Sequence, residues 1–143
     1  MSLDENRQLL RRFITEMINQ QDVALADAVI APDCVFHMGS RTVQGREQFK
    51  QVLTGFFTAF PDMQGTIDDL VAEGDKVVVH FHWQGTHRGA FLGVPATGKP
   101  VAYGGMALTR VVGGQIVEDW SIEDTLGLFQ QLGVVPTPGA APA

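Results

Sequence analysis

The stretch "VEDWSIEDTLGLFQQLG", residues 117–133, holds four carboxylates, Glu118, Asp119, Glu123 and Asp124, around a single indole, Trp120. A carboxylic acid kept among apolar groups loses solvation, and its pKa rises towards neutrality. Such an acid can take a proton from carbon next to a carbonyl. On a regular strand Glu118, Trp120, Ile122 and Asp124 share one face, and Val117, Asp119, Ser121 and Glu123 share the other. The face with Trp120 and Ile122 reads as the buried one. That choice turns Asp124 inward, leaves Glu118 ambiguous at a hairpin rim, and puts Asp119 and Glu123 in solvent. Asp124 also directly precedes "TLGLFQQLG", so it reads equally as the N-cap of a helix.

A second polar row lies in "VVVHFHWQGTH", residues 77–87. His80, His82 and Gln84 share one face, and Val79, Phe81 and Trp83 the other. The polar row reads either as the wet face of an antiparallel sheet or as the wall of a pocket. His-x-His also suits a metal, but no third ligand is fixed by the sequence, so no metal is assigned. Aromatic candidates for a pocket are Phe57, Phe60, Phe91, Tyr103, Trp120 and Phe129, of which the helical Phe57 and Phe60 also read as plain core. Gly-x-Gly-x-x-Gly after a strand, a phosphate-binding Gly-x4-Gly-Lys-[Ser/Thr] and a Gly-x-Ser-x-Gly elbow are all missing, so no cofactor is expected. Cys34, the only cysteine, reads as a small core residue.

The elements that must hold these residues follow from periodicity. Ser2 and Glu5 form a capping box before an apolar stripe of Leu9, Leu10, Phe13, Ile14, Met17 and Ile18. Asp22 opens a short second helix that Pro32 stops, and residues 34–38 make a short strand. A third helix carries Phe49, Val52, Leu53, Phe56, Phe57 and Phe60 on one stripe and ends at Pro61. Strands are predicted over 63–73, 76–87, 101–112 and 115–123, the last two joined by Gly113-Gly114. "RGAFLGVPATGKP" is a loop, and a last helix covers 124–132 with Gly133 after it. The sum is an α+β fold: three N-terminal helices packed on a strongly curved, mainly antiparallel sheet that encloses a pocket, and a short C-terminal helix. One domain is expected over residues 1–136, with a mobile Pro/Ala/Gly tail over 137–143.

Composition sets the outer bounds. The chain has 143 residues, 45% hydrophobic and 18% charged, with a net charge of −6, which suits one soluble domain and gives nucleic acid no basic footprint. The N-terminus lacks a signal-peptide pattern, and no apolar run reaches the roughly 18 residues of a membrane span. A cytoplasmic location without a membrane partner is the expectation, and a free thiol fits it.

Taken together, "WQGTHRGAFLGVPATGKPV", "ALTRVVGGQIVEDW" and "EDTLGLFQQLGVVP", with "FPD" after the third helix and His37 in the first strand, resemble the SnoaL-like polyketide cyclases (ester cyclases). The resemblance covers nearly the whole chain. It implies a nuclear transport factor 2-like cone with a deep pocket, assembled as a homodimer or higher homo-oligomer. It also implies cofactor-independent ring closure by intramolecular aldol condensation. The family's base is an acid at the end of the last strand, and Asp124 occupies that motif position. His37, His82, Trp120 and the Phe91 loop are then expected to face the cavity, with His37 or His82 donating to the enolate oxygen. His80 departs from the arginine that many members carry there. The expected partner is a small hydrophobic carbonyl compound. The rivals are an epoxide hydrolase drawing on Arg110 and Glu118, an isomerase or hydroxylase in a related pocket, and a non-catalytic binder of apolar ligands. The hairpin register sets Arg110 on the outer face, which disfavours the first of these.

Overall fold

The computed structural model describes residues 2–139, so the expected tail from 137 lies mostly outside the described residues. The Ser2 hydroxyl accepts the Glu5 N–H at 3.1 Å and starts helix α1, Leu3–Arg12. α1 runs directly into a π-helical segment, Phe13–Ile18. Leu9, Leu10, Ile14, Met17 and Ile18 of the stripe are all buried. A 3-10 turn, Val23–Leu25, and the short α2, Ala26–Val29, lead into β1, Ile30–Met38, and β2, Arg41–Gln44. Then follow α3, Arg46–Ala59; β3, Gln64–Glu73; β4, Lys76–Thr86; β5, Pro100–Val112; β6, Gln115–Glu123; and α4, Thr125–Leu132.

Two elements differ from the expectation. Pro32 does not stop a helix. It lies inside β1, in the interval between Ile30 and Val35 where the pairing with β6 shifts register, so its missing N–H removes no ladder bond. β2 has only four residues, too few for its alternation to stand out from a loop.

The six strands form one sheet in the order β2-β1-β6-β5-β4-β3. Only the β1–β6 pair is parallel. α1, the π segment and α3 cover the inner face, where the Phe36 and Phe49 rings stack at 3.8 Å. Val77, Thr109, Asp119, Phe36 and Val43 form a continuous inner row across β4, β5, β6, β1 and β2.

The β5–β6 hairpin decides which acids face that interior. Val112 pairs with Gln115 and Val111 with Ile116, but Arg110 pairs with Glu118. Val117 is therefore an extra residue, a β-bulge, and it reverses the alternation beyond it. Ile116 faces inward at 1% exposure, and after the bulge so do Asp119, Ser121 and Glu123. Glu118, Trp120 and Ile122 turn outward, Trp120 at 38% and Ile122 at 71% exposure. This corrects the expected phase of β6: Asp119 and Glu123, read as solvated, are the inward acids.

Candidate functional site

A cavity of about 910 Å³ lies between the inner face of the sheet and the two long helices. That volume suits a ligand of several fused rings. Phe81, Trp83, Tyr103, Thr109, Asp119 and Glu123 line it from the sheet, and Phe13, Phe49, Val52 and Phe56 line it from the helices. The β1–β2 turn, Gln51, Phe91, Leu92, Ile122 and Thr125 also contribute to its wall.

Its two acids differ in their surroundings. Asp119 is 9% exposed, and its Oδ2 accepts the Thr109 hydroxyl at 2.6 Å. Burial pushes its pKa up to about 6, against the opposing pull of that hydrogen bond. Glu123 is pushed up to about 7, first by burial and further by the negative charge of Asp119, while a hydrogen bond from Trp83 pulls it down. The Trp83 indole N–H donates to Glu123 Oε1 at 3.4 Å. Tyr103 is the β5 partner of Trp83, and burial together with the Glu123 charge raises its pKa, so the phenol keeps its proton.

Two glycines make room for this arrangement. Glu123 pairs with Gly105, where an added Cβ would come within 2.8 Å of Glu123 Cγ and 2.6 Å of the Ile122 carbonyl. The bare strand lets the carboxylate reach across β5 towards β4. On β3, a Cβ at Gly65 would overlap the six-membered ring of Trp83. The indole that donates to Glu123 thus lies in a slot left by one glycine, and the carboxylate crosses over another.

Most of the expected site residues lie elsewhere. Asp124 is exposed and caps α4, its Oδ1 accepting the Gly127 N–H at 2.9 Å. A Cβ at residue 127 would fall within 2.7 Å of Asp124 Cγ, so the glycine is fitted to the cap. His37 is on the outer face, 2.7 Å from Glu118 Oε2 and stacked 5.3 Å from Trp120. His82 and His80 project from the same face, 2.9 Å from Asp68 and 3.0 Å from Asp69. The physical reason is shared: Val77, Val79, Phe81 and Trp83 take the buried side of β4, and the Val117 bulge turns Trp120 out beside His37. His37, His82 and Asp124 therefore do not converge on the cavity. Of the aromatic candidates, Phe91 and Tyr103 line it. Phe57 and Phe60 are core, Phe129 is half-buried against the core, and Trp120 is on the outer face.

Glu118 and Arg110 also leave the cavity, joined to each other at 3.5 Å on the outer face. The His37 hydrogen bond, then that of Arg110, holds the Glu118 pKa below its usual value. His87, which the sequence reading left without a role, is fully buried. Its Nδ1 accepts the Thr97 N–H at 3.2 Å, and its backbone bonds Lys99 and Gly98, which closes the base of the 88–99 loop. Among the described residues no group of three or more His, Cys, Asp or Glu could hold a metal ion. Among the same residues no helix is long and apolar enough to cross a membrane.

A curved sheet wrapped over helices, with a desolvated carboxylate in an apolar cavity, defines an α+β cone of the nuclear transport factor 2-like class. Within that class the match is specific. A model of the SnoaL-like polyketide cyclases covers residues 8–132, and the chain belongs to that family. Similar solved structures include a candidate SnoaL-like polyketide cyclase from Jannaschia sp. CCS1, 26% identical over 93% of this chain and 94% of that one, with a TM-score of 0.86. IdmH, a candidate polyketide cyclase from Streptomyces antibioticus, is 33% identical over 90% and 99%, with a TM-score of 0.78. AclR, a candidate hydroxylase from Streptomyces galilaeus, is 28% identical over 95% and 85%, with a TM-score of 0.85. No curated protein matches the chain.

Proposed function

We propose that this protein closes a ring in a hydrophobic, polyketide-type carbonyl compound by cofactor-independent aldol condensation, with Glu123 as the general base. The observation that carries the proposal is a carboxylate of near-neutral pKa inside an apolar cavity, with one oxygen oriented by Trp83. Family membership and the candidate cyclases from Jannaschia and Streptomyces antibioticus support the substrate class.

Glu123 takes a proton from a carbon next to a carbonyl, and the C–H electrons form an enolate. The Tyr103 phenol, still protonated, lines the same cavity and is the nearby donor suited to the enolate oxygen. The enolate carbon then bonds to a second carbonyl carbon of the same molecule, whose oxygen takes the π electrons and receives the proton back from Glu123. Atoms balance, so product and substrate are isomers. Phe13, Phe49, Phe56 and Trp83 give flat rings faces to stack on, which holds the two carbonyls near each other. In this reading Asp124 keeps a capping role only. An epoxide hydrolase loses its support, because Arg110 and Glu118 pair on the outer face. The protein works as a homodimer, joined through that face.

The test is turnover of a panel of linear and tricyclic β-keto esters, followed by mass spectrometry and chromatography. Wild type should give a product of unchanged mass and new retention. Glu123→Gln should lower kcat by at least about 100-fold, the range of a lost general base. Asp124→Asn should keep most of the rate. A Glu123→Gln enzyme with the wild-type rate removes the assignment, and a mass gain of one oxygen would move the protein towards the hydroxylase reading that AclR suggests.

A further inference from the structure

We infer that Leu92 is a specificity-determining contact for the apolar end of the ligand, held at the cavity wall by a turn that a leucine does not favour. The inference rests on the cavity being the substrate site.

Phe91 and Val94 exchange both backbone hydrogen bonds, at 3.0 and 2.9 Å, around the two central residues Leu92 and Gly93. Leu92 has φ +47° and Gly93 φ +82°. Two central residues with positive φ make the turn that favours Asn-Gly or Gly-Gly. Leucine is strained there, because its Cβ crowds the backbone in the left-handed region. Asparagine or glycine would hold the same turn with less strain.

Packing within the chain does not account for the choice. Leu92 is 58% exposed, so most of its side chain touches nothing among the described residues. It does line the cavity, beside Phe91. The turn is braced from below: the Phe91 ring meets Phe60 edge-on at 5.1 Å, and His87 ties the loop base through Thr97, Gly98 and Lys99. A rigid turn therefore presents a water-exposed isobutyl group to the cavity. A ligand that reaches it removes it from water, and the contact offsets the strain. The ligand class that gains is one whose apolar portion extends beyond a single ring, such as a tricyclic or alkyl-tailed carbonyl compound.

The experiment uses Leu92→Asn and Leu92→Gly, with 1,8-dihydroxyanthraquinone as a tricyclic probe and acetophenone as a single-ring one. Binding is followed by quenching of tryptophan fluorescence, and stability by thermal melting. Both variants should melt about 3 °C higher as the turn relaxes. Both should bind the tricycle about tenfold more weakly, the worth of one buried aliphatic group, and acetophenone as wild type does. Leu92→Asn binding the tricycle with wild-type affinity overturns the inference and leaves the role of Glu123 intact. A lower melting temperature for both variants also overturns it, because Leu92 would then be a packing residue. If wild type itself fails to bind the tricycle, the cavity reading falls and takes this inference with it.

Discussion

Glu123 and Asp119 share the inner face of one strand, and each has one oxygen held by a hydrogen bond, but the two bonds differ in length. The Thr109 hydroxyl holds Asp119 at 2.6 Å, in a row where Thr109 itself is fully buried. Glu123 has a single long bond from an indole, so it can take a proton without breaking a short one. Its poise has a cost in stability. Glu123 binds its proton more tightly in the folded chain than in the unfolded one, at about 7 against 4.5. Between those values the folded state carries the extra proton, so stability is full below the lower value and falls as pH rises through the window. Glutamine cannot ionise and escapes the loss. Glu123→Gln should therefore be more stable than wild type at about pH 8, by on the order of 2 kcal/mol, and close to wild type near pH 4. Urea denaturation at both pH values measures the gap. A gap of equal size at both would sink the desolvation account, whatever the enzyme kinetics show. The same substitution should lower activity, the opposition expected of an acid held in place for chemistry rather than for folding.

At the scale of elements, the site depends on a hairpin in which one residue is extra and one side chain is missing. The Val117 bulge turns the acids inward, and Gly105 leaves the space across which Glu123 extends. Gly105→Ala would push a methyl against the Glu123 side chain and the Ile122 carbonyl, the latter being backbone with little freedom to yield. The expected result is a folded protein with at least about tenfold lower kcat/KM, in keeping with the loss caused by misplacing a catalytic group. The pH midpoint of its kcat/KM profile should fall from about 7 towards the ordinary 4.5 as the carboxylate is displaced into water. An unmoved midpoint would mean that Gly105 serves only the sheet. These same elements mark the limit of what the sequence could say. The helical stripes and the last four strands are legible, because each is long enough for its period to repeat. The phase of β6 is not. Val117 looks like any strand valine, and Trp120 and Ile122 look like core, although both face outward. Asp124 was legible as a cap because it directly precedes the last helical run. Gly65 and Gly105 drew no reading from the sequence; a glycine inside a strand is a sign of close approach, but only the strand register names what approaches.

The reason hydrophobicity pointed to the wrong face of β6 belongs to the whole molecule. The outer face of the sheet is apolar as well. Val71, Val78, Leu108 and Trp120 form a row across β3, β4, β5 and β6 that ends on His37 of β1, and Met106 and Ile122 pair in the next row. Val71 is 62% exposed and Met106 52%, which is much apolar surface for a sheet to leave in water. The polar side chains on this face are paired within the chain: His37 and Arg110 meet Glu118, His80 meets Asp69, and His82 meets Asp68. A face that pairs its own polar groups and exposes valine, methionine, isoleucine and tryptophan suits a second copy of itself better than a charged partner. Two sheets packed face to face about a twofold axis would cover these rows at once. Light scattering at about 50 µM should then give twice the chain mass of 15.5 kDa, because a stable interface of roughly 1,600 Å² holds at that concentration. Met106→Lys with Trp120→Lys should give a folded monomer, since each copy would bring unpaired positive charge into the covered face. These two residues are off the cavity, so the monomer should still bind a tricyclic ligand. A wild-type chain that stays monomeric at that concentration would remove the dimer and leave the outward Trp120 and Ile122 without a structural reason.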